Sequence, residues 1–171
     1  MLIIVSGLPA GGKTTLSRAL ARRTGAAHVR IDTIEQAVVR SGAAAHPVGP
    51  VGYAVGYAVA ADLLVAGLSV IADSVNPLPV TRDAWRAVAQ VAGTDAVEVE
   101  VVCSDPTEHR RRATSRASDI PGLQPPTWQE ITDRDYQRWD RPHTVIDTAG
   151  RTVEDCLAEL LAALTPPASS G

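Results

Sequence analysis

Between a short apolar run, Leu2 to Ser6, and a helical pattern from Thr14 to Thr24 lies Gly7-Leu-Pro-Ala-Gly-Gly-Lys-Thr14, a complete match to GxxxxGK[ST]. Nothing else in the chain restricts its fold so tightly, because such a loop works only where a buried strand hands over to a helix. Gly7, Gly11 and Gly12 let the backbone curl until its N–H groups converge on phosphate oxygens, helped by the positive end of the following helix. Lys13 is then placed to bridge β- and γ-phosphates and the Thr14 hydroxyl to ligate Mg²⁺. The expected nucleotide contacts are Gly7, Pro9, Ala10, Gly11, Gly12, Lys13, Thr14 and Thr15. Lys13 is the only lysine among sixteen basic residues, so a compact ammonium stands where phosphate chemistry wants one.

Similar apolar runs recur at Ala27 to Ile31, Leu68 to Ala72, Val97 to Cys103 and Thr144 to Ile146, with helical patterns between them. Strands alternating with helices predict right-handed crossovers and an α/β three-layer sandwich around a five-stranded, mainly parallel sheet. One domain over residues 1–164 follows, with a flexible Pro/Ala/Ser tail at 165–171. Ligands in such sheets bind beyond the carboxyl ends of the strands, which selects Gly7 to Thr14, Asp32, Asp73 to Asn76, Ser104 to Asp105 and Asp147 to Gly150.

Asp32 follows the second strand and precedes a helix opening at Thr33. It reads either as the base that takes a proton from an attacking hydroxyl or as a plain N-cap. Asp73 closes Ser69-Val-Ile-Ala-Asp73 as a magnesium-associated carboxylate would, or as a turn-forming aspartate. Asp147 and the loop to Gly150 either border the adenine or cap the last helix.

Asp105-Pro106 starts a helix bearing Arg110, Arg111, Arg112 and Arg116, which runs into the Pro/Gly-rich stretch Ser118 to Pro126. At 100° per residue His109, Arg112 and Arg116 share a face, so Arg112 and Arg116 are the expected catalytic arginines of a lid over about 106–127. The alternative is a solvated face with a Glu108–Arg112 pair. Thr127-Trp-Gln-Glu130 is a capping-box pattern and predicts a further helix to about Trp139. Trp128, Tyr136 and Trp139 on it, with Tyr53 and Tyr57, form either a stacking wall for a flat acceptor or ordinary packing.

Composition narrows the function classes. A net charge of −3 gives no overall pull on polyanions, which makes a nucleic-acid partner unexpected. Cys103 and Cys156 form no CxxC, fitting a reducing cytoplasm. The apolar N-terminus meets a glycine loop after five residues, too soon for a signal peptide or membrane span.

Gly7-x-Pro9-x-x-Gly12-Lys13-Thr14-Thr15, an aspartate after the second strand, an apolar strand ending in Asp73 and an arginine helix before a lid together resemble the small P-loop kinases of the AAA-type P-loop NTPase superfamily. Chloramphenicol phosphotransferase, zeta-toxin-type kinases, gluconate kinase and the kinase domain of polynucleotide kinase are the most similar groups. The resemblance implies sheet order 2-3-1-4-5, Asp32 as the base, a mobile lid, and transfer of the γ-phosphoryl of Mg-ATP to a hydroxyl of a small-molecule or nucleotide-like acceptor. Polynucleotide kinase-like members usually carry arginine three residues after that aspartate, where this chain has Glu35. That departure weighs against a 5′-hydroxyl polynucleotide kinase, which stays as an alternative beside an ATP-binding regulator. A GTPase switch would need an NKxD-type motif, which a chain whose only lysine is Lys13 cannot supply.

Overall fold

The computed structural model describes residues 1–164; the tail expected at 165–171 lies outside them. The elements run β1 (Leu2–Ser6), α1 (Lys13–Thr24), β2 (Ala27–Arg30), α2 (Ile31–Arg40), α3 (Val51–Val65), β3 (Val70–Asp73), α4 (Pro79–Val91), β4 (Ala96–Val102), α5 (Pro106–Ser115), α6 (Trp128–Thr132), β5 (Thr144–Asp147) and α7 (Val153–Leu164). The sheet is ordered β2-β3-β1-β4-β5, and every pairing in it is parallel.

Period-two alternation in β1 explains the layering. Ile3 and Val5 point to one face, where Leu16 and Leu20 of α1 and Cys156 and Leu160 of α7 cover them. Leu2 and Ile4 point to the other, against Ala60 and Leu64 of α3 and Trp85 and Ala89 of α4. Both faces are dry, so all five β1 residues are buried and the strand reads as an unbroken apolar run. Each buried leucine or isoleucine contributes roughly 1.5–3 kcal/mol through lost water contact.

Most boundaries shift by a residue or two from the sequence expectation, and two of the differences bear on the site. Helix α2 begins at Ile31, with Arg30 as its N-cap and Asp32 inside its first turn, so Asp32 does not cap it. Helix α6 ends at Thr132 and never reaches Trp139. The segment beyond it is captured from a distance by Arg82 of α4, whose guanidinium donates to the Gln137 carbonyl at 2.6 Å and the Arg138 carbonyl at 3.3 Å. Carbonyls bonded to a buried guanidinium are withdrawn from any helix that would continue through them. Tyr136 and Trp139 lie over the same group, with Arg82 Cζ 5.2 Å and 4.2 Å from their ring centroids. These two aromatics therefore pack around an arginine rather than lining an acceptor pocket.

Among the described residues no helix is long and apolar enough to cross a membrane.

Candidate active site

Parallel strands deliver the loop after β1, Asp73 at the end of β3 and the start of α2 to one edge of the sheet. Gly7 turns out of β1 with φ +131°, and a Cβ there would stand 2.2 Å from the Val101 carbonyl oxygen. Only glycine lets the loop press against β4 at that point. The loop closes on Gly12, the N-cap of α1 with φ 106°.

Two cavities open on either side of this loop. The first, about 380 Å³, is lined by Ala10, Gly12, Lys13, Thr14, Thr15, Arg112, Arg116 and, from the far wall, Thr148 and Arg151. The second, about 630 Å³, is lined by Pro9, Asp32, Glu35, Tyr53, Asp73, Arg134 and residues 123–127. Lys13, Thr14 and Arg116 line both. Of the remaining expected contacts, Gly7 and Gly11 line neither cavity and back onto the Val101 carbonyl, and Pro9 faces the second cavity. Gly150 lines neither; its N–H donates to Glu108 Oε2 at 2.9 Å.

Lys13 is buried, and its Nζ donates to the Leu8 carbonyl at 2.8 Å. Loss of water lowers its pKa to about 8, against the opposing pull of Asp73 and Asp32. Asp73 is 2% exposed. Burial works against its ionisation, yet a hydrogen bond from His28, at 3.1 Å between Nε2 and Oδ2, and the charge of Lys13 hold it below the usual carboxylate range. The Thr14 hydroxyl lies beside it. Two hard oxygen donors side by side, one of them ionised, suit Mg²⁺. Among the described residues no group of three or more His, Cys, Asp and Glu could hold a metal, so phosphate oxygens and water would complete the shell.

Asp32 stands 43% exposed over the second cavity, with Oδ2 3.6 Å from Arg30 Nη2. Arg30 itself is buried and reaches across to Asp119, at 2.9 and 3.1 Å, while Arg18 bonds Asp119 from α1. Burial opposes ionisation of Asp119, but these two guanidinium groups hold it well below the ordinary range. The segment between α5 and α6 is thereby tied to both α1 and the end of β2.

Helix α5 ends at Ser115, so Arg116 stands at its extended C-cap and not on the helix face expected for it with Arg112. Arg112 donates to Thr148 Oγ1 at 2.7 Å and to Glu108 Oε1 at 2.7 Å, so the i,i+4 pair and the cavity position coexist. Arg116, the C-cap of α5, makes no hydrogen bond or ion pair among the described residues. His109 donates from Nε2 to the Pro9 carbonyl at 2.8 Å, bracing the loop from above. Asp147 accepts from the N–H groups of Ser104 and Ala149, and Thr152 caps the last helix instead.

Sequence reasoning missed His28 and Arg30, and it gave Thr148 no role of its own within the selected Asp147 to Gly150 stretch. His28 and Arg30 carry a faint signal, alternate polar residues in an otherwise apolar strand beside Asp73; for Thr148 only its place after β5 was legible, since its partner Gly11 is 137 residues away.

With this geometry in place, the family model described as AAA domain matches residues 2–126. The chain belongs to the AAA domain family. No curated protein matches it in sequence. A solved structure from Chloroflexus aurantiacus is 22% identical with a TM-score of 0.74, over 95% of this chain and 94% of that one. The Mycobacterium tuberculosis APS kinase in complex with AMPPNP and APS is 18% identical with a TM-score of 0.67, over 95% and 96% of the two chains. A gluconokinase from Sinorhizobium meliloti is 17% identical with a TM-score of 0.66, over 95% and 90%. This AAA-domain protein thus has the fold of the small P-loop kinases, in agreement with the sheet order that the resemblance implied.

Proposed function

We propose that the protein is a kinase that transfers the γ-phosphoryl group of Mg-ATP to a hydroxyl of a small molecule. The carrying observation is that Lys13, Thr14 and Arg116 line both cavities, which gives two substrates one meeting point. The triphosphate takes the first cavity along the Gly7 to Thr14 loop and the acceptor takes the second.

In this reading Asp32 accepts the proton of the acceptor hydroxyl, the oxygen forms a bond to the γ-phosphorus, and the bond to the β,γ-bridging oxygen breaks to leave ADP. Lys13 leaves the Leu8 carbonyl for the phosphates, which restores full charge to an ammonium that burial depresses. Arg116, with no partner to surrender, neutralises charge on the group in flight. Thr14 and Asp73 would hold Mg²⁺, which would supply neutralisation of the phosphate charge. The segment from 106 to 127 acts as a lid that keeps water from taking the phosphoryl group. AMPPNP in the APS kinase structure supports a nucleotide in the first cavity.

ADP release in the presence of hydroxyl compounds tests the reading, with Asp32→Asn as the decisive variant. ATP affinity should stay within about threefold while transfer falls by ~10²–10⁴, the usual contribution of a positioned base. Undiminished transfer by that variant would remove Asp32 from the chemistry.

A further inference from the structure

The second cavity holds a carboxylate that the transfer step leaves unused. Glu35 lies three residues along α2 from Asp32, so both project from one helix face with Cβ atoms ~5–6 Å apart, and both line the cavity. Glu35 accepts no hydrogen bond and forms no ion pair among the described residues. Its side chain is laid across Gly52 of α3, where a Cβ would stand 2.3 Å from Glu35 Cγ and 2.8 Å from Oε1. The missing side chain on α3 thus makes the space that the Glu35 side chain occupies.

Burial and the neighbouring Asp32 push the Glu35 pKa up to about 7, with Arg134 pulling the other way. The Tyr53 hydroxyl faces the same group from α3 and is itself harder to ionise, through burial and the two nearby carboxylates. A half-buried carboxylate beside a second one, with no donor bonded to it, is destabilising until positive charge arrives.

The charged groups of the cavity sort by what already occupies them. Lys13 and Arg116 also face the phosphate side, Asp73 is bonded to His28, and Glu130 is bound into its capping box with Thr127. What remains for an acceptor is Asp32 and Glu35 against the lone cation Arg134. Arg134 and Arg116 also lack a bonded partner among the described residues, but at the α2 wall an anionic acceptor would meet two carboxylates, whereas an ammonium would meet the one carboxylate of the cavity that lacks a partner.

Resting on the kinase reading above, we propose that the acceptor is an amino alcohol of the amino-sugar or aminocyclitol class, its protonated amine held by Glu35 and a hydroxyl a few bonds away presented to Asp32. Glu35 is then the residue that selects the acceptor.

The test measures acceptor-stimulated ADP release by the unaltered protein with ATP and Mg²⁺ across three matched groups and one polymer. The groups are amine-bearing (glucosamine, mannosamine, kanamycin), neutral (glucose, mannose, inositol) and acidic (gluconate, glucuronate); the polymer is a 5′-hydroxyl oligonucleotide. The amine-bearing group should lead its neutral counterparts by ~10-fold or more in kcat/KM, the worth of a charge-assisted hydrogen bond. Glu35→Gln should raise KM for the amine by ~10-fold with kcat held, and leave a neutral acceptor within about twofold. Preference for neutral, acidic or oligonucleotide acceptors, or an equal effect of the variant on every group, overturns the amine assignment while phosphotransfer stands. Bound ATP with no acceptor from any group raising ADP release overturns the kinase reading and this one with it. The comparison across groups uses unaltered protein, so it holds even if the variant folds poorly.

Discussion

On the first-cavity side of Lys13 the polar side chains are bonded to one another. Arg112 holds Thr148 and Glu108, Thr148 donates to the Gly11 carbonyl at 2.9 Å, and Glu108 accepts from Gly150. On the second-cavity side the Asp32 side chain is 43% exposed with one distant ion pair, and the Glu35 side chain has no hydrogen bond among the described residues. Under the proposed reading the first cavity takes a ligand common to many enzymes and is fixed in advance, since preorganised donors lose no ordering entropy when the ligand arrives. On the proposed acceptor side Asp73 and Glu130 are bonded, while Glu35 has no bonded partner among the described residues and Asp32 only a distant one; under that reading this local deficit becomes selectivity.

The comparison breaks first at its junction. Lys13→Ala should cut transfer by ~10³-fold and abolish the thermal shift that Mg-ATP gives the parent chain. A variant that still transfers would mean that the two cavities do not share a reaction.

The two arginines sharpen it next. Arg116→Ala should lower kcat by ~10²-fold and leave the melting temperature within about a degree, because its guanidinium is bonded to nothing among the described residues. Arg112→Ala should instead raise KM for ATP by roughly tenfold and lower the melting temperature by about 3 °C, through its lost bonds to Thr148 and Glu108. Matching effects in steady-state kinetics and melting curves would erase the distinction between a bonded and an unbonded side.

The smallest effect concerns Glu35 in the ligand-free chain. Its pKa rises from 4.5 to about 7 on folding, so the folded state binds the proton more tightly. Its contribution to stability is complete below 4.5 and is lost as pH climbs through 7. Glu35→Gln cannot ionise; it should therefore be more stable than the parent by about 1 kcal/mol at pH 8, a figure discounted for the half-exposed carboxylate. The two should converge toward pH 4.5 in urea melts. Equal stability at both pH values would mean that Glu35 is well solvated.

Much of the frame was legible because it is local. The loop from Gly7 to Thr14 needs consecutive residues, the strands need short apolar runs, and the αL stop of α1 at Gly25 needs one glycine. The false extension of α6 toward Trp139 came from the same local reasoning. Its capping box is real, but the carbonyls beyond Thr132 answer to Arg82, some 55 residues earlier in sequence. Glu35 was visible only as the wrong residue for a polynucleotide kinase; its place beside Asp32 and over Gly52 required α2 and α3 to pack.

By itself the sequence determined that a phosphate loop would sit at the carboxyl edge of a parallel sheet, with Asp32 and Asp73 nearby, because turns, strand ends and helix starts are written in neighbouring residues. Packing alone settled that His28 and Lys13 favour the ionised form of Asp73 and that, among the described residues, Arg112 is bonded, Arg116 is not and Glu35 has no donor. Burial and charge act through space, and the groups that set them come from segments far apart along the chain.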